Sequence, residues 1–484
     1  MARSVVAGVE ISTEHYIGGR RVASQKTFRD ESPIDGARLA DVSSGGPVEV
    51  EAAIAAASDA FPAWAALGPR GRLPILKALA ERIRGRAKEL AAVETADNGS
   101  LLLGNLHRVV PRAAQNIEFF ADWALRIEDE KIESEEVVNH VRYEPAGVAA
   151  IVTPWNAPLM LTTWKVGPAL AAGNTLVVKP PEWAPLTCSL LADLAHDAGV
   201  PAGVLNVVQG IGEEAGAALV SHRGIARTSF TGSTETGRWI ASTAGQNLVP
   251  VSVELGGKSP FIVCADADLD AAAQTIAGQF LNAGQVCLAG TRILVERSIA
   301  DALLAKVREA SAKMTVGDPR EPTTRVGPLI TREHFARVSG FVSRALAAGV
   351  KPIFGGKRHS AGELYFEPTL FEIRDNSVEI AKHEVFGPVL TWQTFGDDAE
   401  CLRLANSTRY GLAAMIYSRN PARVERLSRG VVAGTVWVNC FFVRDLAAPF
   451  GGARESGLGR EGGTWSFDFF CDVKNVAIRR GSLG

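Results

Sequence analysis

Between Val148 and Glu254, short β-branched runs alternate with longer Ala- and Leu-rich segments, and no other feature of this sequence restricts the fold so strongly. Val148 to Val152 reads as a first strand, and Leu161 to Ala171 as a helix closed by Gly173 and Asn174. Thr175 to Lys179, Leu205 to Val208, Ala226 to Phe230 and Val249 to Glu254 read as further strands. Strands separated by helix-length segments need crossover connections, so the pattern predicts repeated βαβ units and a parallel sheet of five strands.

Around this sheet, Val48 to Leu67 and Arg70 to Asp97 read as two long packing helices. The acidic, weakly alternating stretch from Ile127 to Val141 reads as an exposed strand excursion, an arm able to pair with another subunit. A second alternating region runs from Glu254 to about Phe450, with strands near Thr291 to Glu296, Val389 to Phe395 and Val436 to Asn439. The fold class is therefore α/β, and a length of 484 residues allows two or three domains.

Lys plus Arg total 51 against 53 Asp plus Glu, a net charge of -2 that leaves no electrostatic footprint for nucleic acid or an acidic membrane. A small-molecule partner is expected. The six cysteines are scattered without a C-x-x-C pair or histidines at zinc spacing, so a reducing compartment and no metal are expected. Glu10 and Glu14 interrupt the N-terminal segment before an export signal develops, and no window nears the roughly 18 apolar residues of a membrane span. A cytoplasmic protein is predicted.

The glycine fingerprint of dinucleotide sites fails here, because Gly210-Ile211-Gly212 is followed by a glycine one residue too far, at Gly216. Phe230 to Gly237 does stand at a strand-to-helix junction, where free N–H groups and the helix dipole can receive a phosphate; Ser233 there could equally be an ordinary helix cap. Cys287, in Gln285-Val286-Cys287, follows Val253-Glu254-Leu255-Gly256-Gly257-Lys258, which offers it a carboxylate. A thiolate can attack an aldehyde carbon, and a carboxylate can activate the water that releases the acyl group. On local sequence alone Cys287 is an ordinary core thiol.

Six ordered motifs change that reading: Thr153-Pro154-Trp155-Asn156-Ala157-Pro158, Lys179-Pro180-Pro181-Glu182, Phe230-Thr231-Gly232-Ser233-Thr234, Glu254-Leu255-Gly256-Gly257-Lys258, Gly284-Gln285-Val286-Cys287 and Glu384-Val385-Phe386-Gly387-Pro388. Together they resemble the aldehyde dehydrogenase superfamily over nearly the whole chain. The resemblance implies two doubly wound α/β domains, a Rossmann-like NAD-binding domain (1–126 and 146–255) and a catalytic domain (256–466), with a small β oligomerisation arm (127–145 and 467–484). It makes Cys287 the nucleophile, Glu254 the general base and Asn156 an oxyanion donor beside the Cys287 N–H. Lys165 and Glu461 match positions implicated in proton relay, with a surface salt bridge as the alternative for each.

For the cofactor, the resemblance implicates Thr153, Trp155, Gly212, Gly232, Ser233 and Leu255 in its groove. Lys179 and Glu182 would hold the adenosine ribose, and Glu384 and Phe386 the nicotinamide ribose and ring. A carboxylate at Glu182 disfavours a 2′-phosphate, which predicts NAD over NADP. Pro181 departs from the family's usual small polar residue beside that ribose contact.

Arg112 and Arg444 resemble the branch that oxidises muconic semialdehydes, in which an arginine pair is expected to hold the substrate carboxylate, with Trp164 and Phe450 nearby. The predicted substrate is thus an unsaturated semialdehyde such as 2-hydroxymuconic semialdehyde or its 5-carboxymethyl relative. A broad aliphatic or betaine aldehyde dehydrogenase is the alternative, because Trp164, Phe441, Phe442 and Trp437 could line an aromatic tunnel. A catalytically silent cofactor-binding scaffold is a third reading, and a CoA-acylating enzyme is disfavoured by Glu254. The arm and the Phe467 to Ile478 segment are expected to pair as strands between subunits of a homodimer or homotetramer.

Overall fold

The apolar runs that follow Val148 do form one sheet, and their order in it decides where a ligand can sit. The computed structural model describes residues 2 to 481. Its largest sheet has eight strands, in the order Gly457–Leu458, Val251–Glu254, Arg227–Thr231, Val148–Val152, Thr175–Lys179, Leu205–Val207, His15–Ile17 and Arg20–Val22. The five middle strands are parallel, and antiparallel strands close both edges. The sheet exceeds the five strands expected because His15–Ile17, Arg20–Val22 and Gly457–Leu458 are too short to carry a periodic signal.

Alternate side chains of Val148–Val152 enter different cores. Ala149 and Ile151 join the layer built from the Val110–Trp123, Pro158–Ala172 and Leu186–Asp197 helices, whereas Val148, Ala150 and Val152 meet Val50, Ile54 and Ala57 of Pro47–Ala66. Burial on both faces explains why the strand reads as a continuous apolar run. The chain turns back at this strand, with Thr175–Lys179 on one side and Arg227–Thr231 on the other. At such a switch point the connections diverge to opposite faces and open a crevice beyond the carboxyl ends of the strands.

A second sheet runs Pro352–Phe354, Thr369–Glu372, Val389–Phe395, Arg292–Glu296, Pro260–Val263, Ala413–Tyr417 and Thr435–Val438, parallel except at its first strand. The third sheet is antiparallel, with Val137–Pro145 between Cys471–Arg479 and Glu130–Glu133. These pairings lie within one chain, so the arm and the C-terminal strand pair with each other rather than between subunits as expected.

Two elements differ from the expectation. The stretch from Arg70 to Asp97 is not one helix: Gly68–Gly85 and Ala87–Asn98 are separated at Arg86, whose φ of -109° and ψ of 24° leave the helical region just after a glycine. Phe467 to Phe470 belong to the helix Gly463–Phe470, and the strand starts only at Cys471. Phe467 and Phe470 are buried three residues apart on one helical face, with Phe467 against Phe120, so the first part of the segment that the resemblance made a strand is a helix stripe. Residues 482 to 484 of the expected arm lie outside the described residues. Among the described residues no helix is long and apolar enough to cross a membrane, and no cluster of three or more His, Cys, Asp or Glu could hold a metal ion.

Candidate active site

The ends of the parallel strands deliver the chemistry-bearing residues to the crevice. Thr153, Trp155 and Asn156 follow Val148–Val152 directly, and Pro158 at the first turn of the next helix fixes its start. Asn156 Nδ2 donates to the Gln285 carbonyl at 3.0 Å, and Asn282 Nδ2 donates to the Asn156 carbonyl at 3.4 Å. Asn156 is thereby joined to the loop that carries Cys287. The segment that follows Val251–Glu254 brings the second contact: a Cβ at Gly257 would lie 2.7 Å from the Cys287 carbonyl oxygen, so only glycine lets that backbone approach.

Cys287 is half-buried, and its N–H donates to no described residue. Burial pushes its thiol up to about 12, Glu384 and Glu254 push the same way, and Arg444 with the Leu288 N–H pulls back. Glu254, at the end of its strand, is buried with neither carboxylate oxygen hydrogen-bonded. Burial, and after it the Glu461 carboxylate, hold its carboxyl well above the usual range, against Lys165, Arg444 and Arg460.

Lys165 and Glu461 form a buried ion pair at 2.7 Å, which replaces the surface bridge considered from sequence. Glu461 also accepts from Trp164 Nε1, from Ser229 Oγ at 3.3 Å and from Ser252 Oγ at 3.4 Å, while Lys165 donates to Ser229 at 3.0 Å. A buried pair persists when its remaining hydrogen-bonding capacity is largely taken up, as it is for Glu461 by Trp164, Ser229 and Ser252.

On the opposite side of the crevice, Lys179 Nζ lies 2.7 Å from Glu182. Burial alone would raise the Glu182 carboxyl, but the Lys179 charge and the N–H groups of Glu182 and Gly212 outweigh it and hold the acid below its ordinary value. Ser233 caps the helix Thr234–Gln246 by accepting from the Thr236 N–H at 3.1 Å, so the cap is real. Gly232 is tucked against the Phe230 ring, and Leu255 against Gly237, which draws helix and strand together.

Glu384 is half-buried and accepts from the Gly257 N–H at 3.0 Å; desolvation nevertheless raises its carboxyl to about 7. Phe386, at a φ of 58°, meets Trp155 edge-on with ring centroids 5.3 Å apart. Both residues of this turn therefore reach the crevice, from the second sheet's side. An ionised acid, free N–H groups at a helix start and an aromatic wall suit a dinucleotide's ribose, phosphate and ring, so the residues present fit such a cofactor.

Near the mouth, the Arg444 guanidinium lies 3.7 Å from the Phe450 ring centroid and 4.7 Å from that of Trp164. It donates no hydrogen bond to the described residues. Burial lowers Arg444 to about 10, and the Arg112 charge adds to that. Arg112, on the helix Val110–Trp123, donates to the Arg444 carbonyl at 3.3 and 3.4 Å and to Gln115 at 3.3 Å. Arg112 thus holds the Arg444 loop, and Trp437 Nε1 holds it one residue earlier through the Val443 carbonyl at 2.8 Å.

Sequence reasoning assigned no role to Asn282, Gln285, Lys258 or His334. Gln285 is buried with its amide fully engaged, and Lys258 is buried with Nζ unpartnered and lowered to about 7 by burial. His334 contacts the Phe386 carbonyl at 2.7 Å and the Trp155 ring. Gln285 and Lys258 stood inside quoted motifs, which was the one available signal; His334 had none.

The chain belongs to the aldehyde dehydrogenase family, whose family model matches residues 21–476, and is thereby an oxidoreductase that acts on aldehydes. It is 43% identical over 464 residues to the 5-carboxymethyl-2-hydroxymuconate semialdehyde dehydrogenase of Escherichia coli, covering 93% of this chain and 98% of that protein. It is 39% identical to the 2-hydroxymuconic semialdehyde dehydrogenase of Pseudomonas sp. (strain CF600), covering 96% and 99%. Among solved structures it is similar to an indole-3-acetaldehyde dehydrogenase of P. syringae in complex with NAD+, with a TM-score of 0.95, 38% identity and 97% of each chain covered.

Proposed function

We propose that the chain oxidises, with NAD+, an unsaturated semialdehyde whose carboxylate lies far from its aldehyde, of the 2-hydroxymuconic or 5-carboxymethyl-2-hydroxymuconic type. One observation carries the substrate class: the Arg444 guanidinium lies over the rings of Phe450 and Trp164, near enough to Cys287 and Glu254 for their charges to act on it, and it donates no hydrogen bond to the described residues. A fork of that kind suits a carboxylate. The same stacking weighs against a betaine-like cation, since Arg444 already occupies the faces of Phe450 and Trp164 that would receive one. Presence of both Cys287 and Glu254 weighs against a silent scaffold.

In this reading Cys287 Sγ, its proton lost to solvent, attacks the aldehyde carbon as the thiolate. The oxygen takes the negative charge, and Asn156 Nδ2 with the unpaired Cys287 N–H stabilises it in a site shielded from water. NAD+ supplies the hydride acceptor when bound. Glu254, with both oxygens free, then takes a proton from the water that cleaves the thioester and frees the acid. Lys165 and Glu461 offer a buried route for that proton. Lys179 and Glu182 hold the adenosine ribose, and Glu384 and Phe386 the nicotinamide end. The ionised Glu182 repels a 2′-phosphate, so kcat/KM for NAD+ should exceed that for NADP+. The organisation into cofactor domain, catalytic domain and arm, an assembly of two or four copies, and a cytoplasmic setting complete the reading.

Kinetics test the anchor. Arg444→Ala is expected to cut kcat/KM for carboxylated semialdehydes by about 10- to 100-fold, the worth of a hydrogen-bonded charge, and Arg112→Ala by less, with neutral aldehydes little changed. Equal losses on both substrate types would remove the arginines from substrate binding.

A further inference from the structure

Three consecutive residues before the nucleophile, Asn282, Ala283 and Gly284, have left-handed backbone, with φ of 54°, 51° and 68°. Left-handed conformation costs a residue with a side chain about 1–2 kcal/mol, so Asn282 and Ala283 need outside support to stay there. Gln285 provides it. Its Oε1 accepts from the Ile330 N–H at 3.0 Å, and its Nε2 donates to the Asn282 carbonyl at 3.1 Å and the Pro328 carbonyl at 3.3 Å. The amide is buried and fully engaged, and it ties the turn to the Pro328–Ile330 backbone.

This turn grips Asn156 at two points. Asn282 Nδ2 donates to the Asn156 carbonyl, and the Gln285 carbonyl accepts from Asn156 Nδ2. The second contact decides which way the Asn156 amide faces. A carbonyl can only accept, so it holds the NH2 end of the amide toward the Cys287 loop and leaves one N–H for a ligand oxygen. Flipped, the amide would set its own oxygen against the Gln285 carbonyl and would offer a developing oxyanion an acceptor instead of a donor.

We propose that Asn282 and Gln285 are positioning residues that clamp Asn156 to the nucleophile loop, so that attack by Cys287 and stabilisation of the resulting oxygen charge occur in one rigid unit. The inference deepens the oxyanion role given to Asn156 and rests on it. Preorganised donors stabilise transition-state charge without reorganising at the moment of reaction, and a loosened Asn156 would lose that benefit while cofactor binding stayed intact.

The test is a double-mutant cycle on Asn282→Gly and Asn156→Ala, read by kcat. Glycine accepts the left-handed backbone, so Asn282→Gly removes the side-chain hydrogen bond without straining the turn. Expected are a kcat reduction of about 5- to 10-fold for Asn282→Gly, of about 100-fold for Asn156→Ala, and less than about twofold further loss when Asn282→Gly is added to Asn156→Ala. KM for NAD+ and the rate of Cys287 alkylation by iodoacetamide, which needs no oxyanion donor, should stay within about twofold of the parent. Gln285→Met, if it folds, should repeat the pattern with a larger kcat loss. Equal factors in both backgrounds, or an alkylation rate that falls with kcat, would overturn the clamp. An unchanged kcat in Asn156→Ala would overturn the oxyanion role and the clamp with it, whereas a large Asn156→Ala loss beside an inert Asn282→Gly would overturn the clamp alone.

Discussion

Glu254 is a buried acid with two unspent oxygens, and that combination sets how activity should follow pH. Four charges face it: Glu461 raises its carboxyl, and Lys165, Arg444 and Arg460 lower it, with burial larger than any of them. A general base acts only when deprotonated, so thioester hydrolysis should rise with pH through a midpoint above the usual carboxylate range and level off beyond it. Glu461→Gln removes the one negative neighbour and leaves Lys165 unpaired, and both effects move the midpoint down. A kcat–pH profile of the variant checks this, and an upward move would refute the electrostatic account. Glu254→Gln should slow turnover by about 100- to 10,000-fold while leaving one rapid equivalent of NADH per site. Cys287, Glu254 and Asn156 could be read as candidates because each belongs to a motif set at a strand end or in the loop beside one. Gln285 shares the Cys287 motif, but its role and that of Asn282 could not be read, because they depend on left-handed backbone and on hydrogen bonds that span more than a hundred residues of chain.

Elements were legible where burial is uniform along them. Val148–Val152, Thr175–Lys179 and Val389–Phe395 occupy the bounds their apolar runs predict, since strands covered on both faces admit few polar residues. Gly463–Phe470 was not, because closely spaced phenylalanines fit either period until Phe120 is known to face them. The break at Arg86 likewise interrupts a pattern whose apolar spacing continues across it. Gly284 ties two elements together: a Cβ there would run into the Gly387 carbonyl, and its φ of 68° already disfavours a side chain. Backbone cannot swing aside as a side chain can. Gly284→Ala should therefore cut kcat by at least about tenfold and lower the thermal midpoint by several degrees, a cost of the order of strained backbone. Gly245→Ala is the control. Nothing would lie within 4 Å of its new Cβ, and the residue is inside the helix Thr234–Gln246, so the midpoint should hold or rise slightly.

At the scale of the molecule, the three-stranded sheet is the part that bears on assembly. Among the described residues no strand pairs with the outer edge of Glu130–Glu133, or with that of the last strand over residues 472–478, and both edges carry exposed apolar side chains, Ile132 at 49% and Val473 at 57%. Open edges with apolar residues are ordinarily blunted or covered, and so small a sheet with little burial is marginal in water. Its root is secure: Arg227 donates to the Phe469 carbonyl at 2.6 Å, to the Cys471 carbonyl at 3.1 Å and to Asp472 at 2.6 Å. A firmly rooted sheet with bare edges is what a surface shared with a second copy requires, which is the physical ground for proposing a homo-oligomer. Light scattering at micromolar concentration should give two or four times the monomer mass. Replacing both Ile132 and Val473 with Lys should shift the protein toward smaller species, while Cys287 alkylation, which depends on contacts within one chain, keeps its parental rate. A parent protein that scatters as a monomer would leave the bare edges without a partner and remove the proposal.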